Sequence, residues 1–162
     1  MQQGIPHIRS GLKNMRIVLQ RVKNANVKVE DEIVGSISHG FLILLGVGKE
    51  DTAMDADWLV EKISKLRVFE DENEKMNKDI IEVNGEILVV SQFTLYGDCK
   101  KGNRPGFTDA GLPEEANKLY EYFVEKIKEK NIKTETGQFG AHMDVSLVND
   151  GPVTLILDTK NN

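Results

Sequence analysis

The sequence predicts a single α+β domain, in which about six or seven mostly antiparallel strands are combined with two helices. Several short segments either alternate apolar and polar residues or are apolar throughout, which is typical of strands. Two longer segments instead repeat their apolar residues at helical spacing. The chain has 162 residues, of which 40% are hydrophobic and 29% are charged, so its size and composition are those of one globular domain.

The first half of the domain is expected to consist of strands followed by a helix. Residues 15–22 form the first expected strand, and the segments 25–30 and 33–37 indicate a hairpin with one solvated face. Residues 40–47 are almost continuously apolar, which predicts a central strand covered on both faces. A capping-box pattern then opens a helix over 52–67, whose apolar stripe consists of Ala56, Leu59, Ile63 and Leu66.

The second half is expected to continue with a charged loop over 70–79 and a long β-rich segment over 86–96. Residues 97–111 contain four glycines and a proline, so this segment is expected to be irregular. Pro113 suits the first position of a second helix, because it is followed by two glutamates that favour the first turn. The last two expected strands occupy 141–148 and 153–158.

The chain ends and the overall charge restrict the class of protein. Residues 1–14 lack periodicity and are interpreted as a flexible leader, either natural or added for protein production, so the folded domain is expected over 15–162. The leader lacks the features of a secretory signal, and Cys99 is the only cysteine, which together predict a cytoplasmic protein. A net charge of −5 argues against a dedicated duplex binder but is compatible with a local basic patch.

Neither a metal nor a cofactor is expected for this chain. The three histidines, His7, His39 and His142, are isolated in the sequence, without a cysteine or a carboxylate at ligand spacing. Cys99 lacks an evident activating partner, which disfavours a thiol nucleophile.

The most informative segment is the β-rich stretch, in which polar residues follow a buried apolar run. Ser91, Gln92 and Thr94 come directly after the apolar residues 87–90. If the strand continues, Gln92 and Thr94 share one face, and Ser91 and Phe93 share the other. Buried polar side chains without partners cost about 1–3 kcal/mol each, so these residues either bond to neighbouring backbone or line a pocket.

A second unusual segment lies between the last two expected strands and has the sequence Asn149-Asp150-Gly151-Pro152. Asn-Asp-Gly is typical of a hairpin turn. The proline removes a backbone donor at the start of a strand, and a Gly-Pro bond adopts the cis form at a cost of only about 0.5–1 kcal/mol. The sequence therefore leaves both a hairpin turn and a cis peptide open.

A short basic cluster lies in the glycine-rich segment and consists of Lys100, Lys101 and Arg104. Such a cluster is either an ordinary solvated surface or a place for a few phosphate contacts. Because it follows the unusual strand directly, phosphate contact would reconcile an acidic chain with a nucleic-acid substrate.

The two unusual segments resemble the paired signatures of the D-aminoacyl-tRNA deacylase family, as Ser91-Gln92-Phe93-Thr94 and Gly151-Pro152-Val153-Thr154. Other motifs are similar to the family in order and spacing, namely Leu19-Gln20-Arg21-Val22, Leu44-Leu45-Gly46-Val47, Lys75-Met76-Asn77 and Val145-Ser146-Leu147-Val148-Asn149. Either signature alone is weakly specific, but both occur in the correct order. The resemblance covers the chain from Met15 to about Thr159.

The resemblance implies a compact β-barrel-like fold, a homodimer and hydrolysis of the ester that joins a D-amino acid or glycine to the 3′-terminal adenosine of tRNA. It also implies that Gly151-Pro152 is a cis peptide that enters the partner subunit's pocket. The carbonyl groups of this peptide would occupy the space that an L side chain needs, so the enzyme would proofread chirality by steric rejection.

The resemblance further implies roles for individual residues. Ser91 and Gln92 are expected to hold and orient the substrate, and the backbone N–H groups of Phe93 and Thr94 to stabilise the oxyanion. Thr94 is alternatively a nucleophile, although no base is evident beside it, and the 2′-OH of the tRNA is a further source of assistance. Phe93 and Met143 are expected to make apolar contacts with the adenosine, and Arg21 a polar contact. The other expected substrate-binding residues are Asn149, Gly151, Pro152 and Val153.

Two rival functions remain compatible with the sequence. The first is a tRNA-ester hydrolase with a different specificity, whose main task is to remove glycine from the wrong tRNA. The second is a non-catalytic RNA- or nucleotide-binding dimer that uses the same pocket.

Overall fold

The computed structural model describes residues 14–159, which contain eight strands, two α-helices and one short 3-10 helix. In chain order these elements are β1 (Arg16–Val29), β2 (Glu32–Ile37), β3 (Gly40–Gly46), α1 (Ala53–Lys65), β4 (Phe69–Glu70), β5 (Met76–Lys78), β6 (Glu86–Ser91), the 3-10 helix (Phe93–Tyr96), α2 (Pro113–Lys128), β7 (Thr134–Thr136) and β8 (Asp144–Asp158). The leader expected at 1–14 lies outside the described residues except for Asn14, which is buried.

Six strands form one sheet in the order β2-β1-β3-β6-β7, with β8 along the other side of β1. β1 pairs antiparallel with β2, β3 and β8, whereas β6 pairs parallel with both β3 and β7. Parallel neighbours require a crossover, and α1 and α2 supply the two crossovers. The sheet curls until β2 approaches β7, where the Ser36 N–H donates to Glu135 Oε1 at 3.3 Å. The expected barrel-like α+β fold with two helices is therefore confirmed, with a mixed sheet.

Two strands are longer than the sequence predicts. The expected strands 15–22 and 25–30 form one continuous β1, and the last two expected strands form one continuous β8. In the pairing of these two strands, Gln20 faces Thr154 and Val22 faces Asn149. Residues 150–153 thus face the single residue Arg21, and the segment for which a hairpin turn was left open is an outward bulge within β8.

The helices begin where the sequence predicts them to begin. Thr52 is the N-cap of α1, and its N–H donates to Asp55 Oδ2 at 2.9 Å, while Pro113 is the first residue of α2. The expected charged loop over 70–79 contains the short hairpin of β4 and β5. Both helices cover one face of the sheet and bury a core that includes Phe41, Ile43, Leu59, Ile63 and Phe123.

Candidate active site

The buried central strand β6 ends at Ser91, and the chain then turns into the 3-10 helix. The last sheet hydrogen bond runs from the Gln92 N–H to the Leu45 carbonyl oxygen at 2.8 Å. The Leu95 N–H then donates to the Gln92 carbonyl oxygen at 3.2 Å, which closes a tight turn. The expected strand to residue 96 is therefore wrong beyond Ser91, and so is the alternation of faces that was derived from it.

A cavity of about 690 Å³ opens at this end of β6. Ser91, Gln92, Phe93 and Met143 are among the residues that line it. The structure thus brings together four of the residues expected from the sequence. Phe93 is 57% exposed, which is unusual for a phenylalanine and leaves its ring available to a ligand.

The 3-10 helix begins with two backbone donors, at Phe93, which lines the cavity, and at Thr94, which is not among the lining residues. Phe93 and Thr94 are its first two residues, so their N–H groups have no acceptor within the helix. The Gln92 side chain donates from Nε2 to Thr94 Oγ1, which joins the two polar side chains of the motif. The arrangement offers N–H donors, an amide and a hydroxyl at one place.

Other walls of the cavity come from segments that the sequence did not single out. The Phe107 ring packs edge-on against Phe93, with 5.0 Å between the ring centroids. The additional lining residues include Lys49, Thr108, Leu112, Phe139, Gly140 and Ala141. Aromatic residues within glycine-rich irregular segments, such as Phe107 and Phe139, are the signal that could have identified them.

Met143 is held in the cavity wall by the backbone beside it. The Gln138 N–H lies 3.4 Å from Met143 Sδ, within the distance of a weak hydrogen bond. A Cβ atom on Gly137 would lie 2.6 Å from the same sulfur, so the glycine provides the space in which Met143 sits.

Gly151 and Pro152 are exposed and do not appear among the cavity-lining residues of their own chain. The peptide bond between them is cis, and Gly151 has φ of +140°. Asn149 closes the bulge, because its Oδ1 accepts from the Val153 N–H at 2.7 Å and its Nδ2 donates to the Val153 carbonyl at 3.2 Å. Asn149 and Val153 therefore contact each other within the bulge.

Arg21 anchors the bulge from below. Its Nε donates to the Asp150 carbonyl oxygen at 2.9 Å, and its Nη1 donates to the Val68 carbonyl oxygen at 2.5 Å. Nη2 lies 3.7 Å from a carboxylate oxygen of Glu70. The Arg21 side chain is only 4% exposed and is absent from the cavity-lining residues, so the structure places it on the bulge and away from its own chain's cavity.

The basic cluster of Lys100, Lys101 and Arg104 lies in the loop between the 3-10 helix and α2, and all three residues are exposed. An antiparallel bridge between Asp98 and Gly106 closes this loop at its base. The next residue, Phe107, lines the cavity. The cluster is therefore connected directly to the cavity wall.

Two further observations concern residues 14–159. In this part of the chain, no group of three or more His, Cys, Asp or Glu residues is placed to hold a metal ion. Within the same range, neither helix is long and apolar enough to cross a membrane.

The fold is a small α+β barrel with a cavity at the carboxyl end of a central strand. The family model for D-Tyr-tRNA(Tyr) deacylase matches residues 18–158. A D-aminoacyl-tRNA deacylase from Thermosipho africanus is 61% identical over 146 residues, which cover 90% of this chain and 98% of that protein. The chain belongs to the D-Tyr-tRNA(Tyr) deacylase family, and it is accordingly a hydrolase.

Two solved structures share the fold. A c-Myc DNA Unwinding Element Binding Protein is 42% identical, with a TM-score of 0.82 over 88% of this chain and 97% of that chain. A protein described as a probable eukaryotic D-amino acid tRNA deacylase is 17% identical and shares the fold, with a TM-score of 0.76 over 90% of this chain and 99% of that chain.

Proposed function

We propose that the cavity binds the aminoacyl end of D-aminoacyl-tRNA and that the ester bond is hydrolysed beside the 3-10 helix. The observation that carries this proposal is that Phe93 lines the cavity, and that its N–H and that of the next residue, Thr94, have no acceptor within the 3-10 helix. A volume of about 690 Å³ lies within the usual range of small-molecule sites. The exposed ring of Phe93 and the side chain of Met143 provide apolar surface for the adenosine.

Hydrolysis requires water to attack the ester carbonyl carbon, so that negative charge develops on the carbonyl oxygen. The Phe93 and Thr94 N–H groups are proposed to stabilise this oxyanion, and Gln92 and Ser91 to orient the ester. The C–O bond to the 3′ oxygen then breaks, and this oxygen takes up a proton as the free amino acid leaves. An aminoacyl ester is already activated, so positioning and oxyanion stabilisation, with the tRNA 2′-OH as a further aid, account for the reaction.

The chiral filter is proposed to come from Gly151 and Pro152 of a second copy of the chain. This pair is exposed on an outward bulge and does not line its own chain's cavity, which supports a role at another copy's site. Arg21 and Asn149 fix the bulge through hydrogen bonds to backbone atoms, so we propose that they act by holding the filter. Backbone carbonyls from the bulge then exclude an L side chain, whereas glycine remains a substrate.

A homodimer supplies the second copy. One face of the sheet around β1 carries apolar residues that are not fully buried. On this face Val18 is paired with Leu44 on one side and with Ile156 on the other. Ile156 is 70% exposed and lies on the same strand as the bulge. Burial of this apolar face between two copies would stabilise the assembly that the filter requires.

The direct test compares hydrolysis of D-Tyr-tRNA, L-Tyr-tRNA and Gly-tRNA by the purified protein. Release of D-tyrosine and glycine is expected, with L-Tyr-tRNA left intact. Rapid release of L-tyrosine would contradict the filter, and preferential release of glycine over D-tyrosine would favour the glycine-removing hydrolase. Binding of tRNA 3′ ends without ester loss at stoichiometric protein would favour the non-catalytic binder.

The backbone mechanism predicts that Thr94→Ala keeps deacylase activity within about tenfold of the wild type, since a positioned hydroxyl is secondary to the N–H donors. Single-turnover hydrolysis of D-Tyr-tRNA measures this rate. Thr108→Ala is the matched control, because it removes another cavity-wall hydroxyl outside the 3-10 helix. Complete loss of activity in folded Thr94→Ala alone would assign the chemistry to the hydroxyl.

The basic cluster is proposed to contact tRNA phosphates. Replacing Lys100, Lys101 and Arg104 by glutamine is expected to flatten the plot of log affinity against log salt by about 0.7–0.9 per lost phosphate contact. Filter binding of tRNA between low and physiological salt measures this slope. A control variant with glutamine at Lys62, Lys118 and Lys128, exposed on the helices, changes the net charge equally and should retain the wild-type slope. Equal slopes for both variants would show that the cluster is only solvated surface.

A further inference from the structure

The 3-10 helix is held at its carboxyl end by a side chain from the start of β1. Arg16 Nη1 donates to the Leu95 carbonyl oxygen at 3.1 Å. The Arg16 guanidinium also lies over the ring of Tyr96, 5.0 Å from its centroid. One arginine therefore contacts both of the last two residues of the helix.

Arg16 is itself fixed by neighbouring groups. Its Nη2 lies 3.4 Å from Asp158 Oδ2 and 3.3 Å from Asn14 Oδ1. The Arg16 and Asp158 side chains are 29% and 14% exposed, so this ion pair is partly shielded from water. The guanidinium thus links both ends of the described chain to the turn that borders the cavity.

Tyr96 anchors the same end of the helix from inside the protein. Its side chain is buried, and its hydroxyl lies within hydrogen-bond distance of the Gly46 carbonyl oxygen, at 3.1 Å, and of the Asn14 carbonyl oxygen. Burial and the nearby Asp51 raise the pKa of Tyr96 well above its ordinary value, so the phenol stays neutral and keeps its donor. A Cβ atom on Gly46 would lie 2.9 Å from Tyr96 Cε2, so the ring packs directly on β3.

A helix of one turn is not stable by itself, because the cost of nucleation exceeds the gain from its few hydrogen bonds. Its position must come from tertiary contacts. A cation at the carboxyl end also interacts favourably with the backbone dipoles, whose positive end lies at Phe93 and Thr94. The contacts of Arg16 and Tyr96 hold the carboxyl end of the helix, and they therefore help to determine where the two N–H donors are placed.

We propose that Arg16 and Tyr96 are positioning residues, which fix the 3-10 helix so that the N–H groups of Phe93 and Thr94 stay aligned at the cavity. This inference rests on the proposed function, in which those N–H groups stabilise the oxyanion. Neither side chain is among the cavity-lining residues, so both act through the helix.

The test uses Arg16→Met, which keeps the length of the side chain but removes its charge and donors. The kcat for D-Tyr-tRNA is expected to fall about tenfold with KM nearly unchanged, since misplaced donors weaken transition-state binding. Arg16→Lys should recover part of the loss because it restores the cation. Hydrogen exchange at the amides of Leu95 and Gly97, which donate to the Gln92 and Thr94 carbonyl oxygens, should accelerate in Arg16→Met. Lys28→Met, at the exposed far end of β1, is the control and should change neither quantity.

Tyr96→Phe provides an independent variant if Arg16→Met does not fold, and it should shift kcat and amide exchange in the same direction. Unchanged kcat and unchanged exchange in either folded variant would overturn the inference. If the wild type does not deacylate D-Tyr-tRNA, the proposed function fails, and the exchange at the Leu95 and Gly97 amides still decides whether Arg16 and Tyr96 position the helix.

Discussion

Replacing Gly151 by alanine is expected to lower the preference for D- over L-aminoacyl-tRNA by about a hundredfold, because displacement of a positioned group by about 1 Å has effects of this size. Gly151 has φ of +140°, a conformation that residues with a Cβ atom rarely adopt. A Cβ atom at this position would also lie 2.9 Å from Val153 Cγ2 and 3.0 Å from the Val153 nitrogen. The bulge must therefore shift to accept alanine.

The same Cβ atom would approach Arg21 Nη2 to 3.2 Å, so the shift reaches the side chain that holds the Asp150 carbonyl. The unfavourable backbone conformation is expected to lower the free energy of unfolding by about 1–3 kcal/mol. The larger effect is on selectivity, since steric rejection depends on where the carbonyl oxygens of the bulge lie.

The measurement is kcat/KM for D-Tyr-tRNA and L-Tyr-tRNA with the wild type and Gly151→Ala. Gly102→Ala is the matched control, because Gly102 has φ of +75° but a Cβ atom there would have no neighbouring atom within 4 Å. The control also places alanine at a positive φ, and it should retain the D-over-L ratio. A ratio that is unchanged in folded, dimeric Gly151→Ala would contradict the filter.

The elements of the fold follow from local patterns, and most of them were predictable. Helical spacing, a cap at Thr52 and a proline at position 113 determine where each helix begins, and these signals act over one or two turns. The closure of the sheet was expected only from the family resemblance and not from local pattern, because it depends on contacts such as that between Ser36 and Glu135, which are far apart in sequence.

The strand over 86–96 shows where local pattern fails. The alternation of polar and apolar residues continues through Gln92 and Thr94, yet the chain leaves the sheet after Ser91. The neighbouring strand β3 ends at Gly46, so the backbone beyond Ser91 has little left to pair with. Its N–H and C=O groups form the hydrogen bonds of a tight turn instead. The lengths of two strands that are distant in sequence thus decide the structure of the motif.

Prediction of the site was partial for the same reason. Ser91, Gln92, Phe93 and Met143 line one cavity, and the sequence pointed to all four through the family resemblance. Phe107 and Phe139 reach the cavity through irregular segments, whose paths no periodicity defines. The contact between Arg16 and Leu95 spans 79 positions and could not be seen before the fold was known.

Arg21→Met is expected to lower the free energy of unfolding by about 2–4 kcal/mol. Hydrogen bonds from charged donors contribute about 1.5–3 kcal/mol each. Removal of a buried cation offsets part of this loss. Two carbonyl oxygens, of Val68 and Asp150, lose these donors. Methionine has a similar length and keeps much of the packing, so the change tests the polar contacts.

Urea unfolding of both proteins, with comparison of midpoints at equal slope, measures the difference. Arg67→Met is the control, because Arg67 also donates to a carbonyl oxygen, that of Asn77 at 3.1 Å, but is exposed, so its loss should cost less than about 0.5 kcal/mol. Equal destabilisation by the two changes would contradict the anchoring role of Arg21.

Because the Asp150 carbonyl precedes Gly151 directly, Arg21→Met should also reduce the D-over-L ratio, whereas Arg67→Met should leave it unchanged.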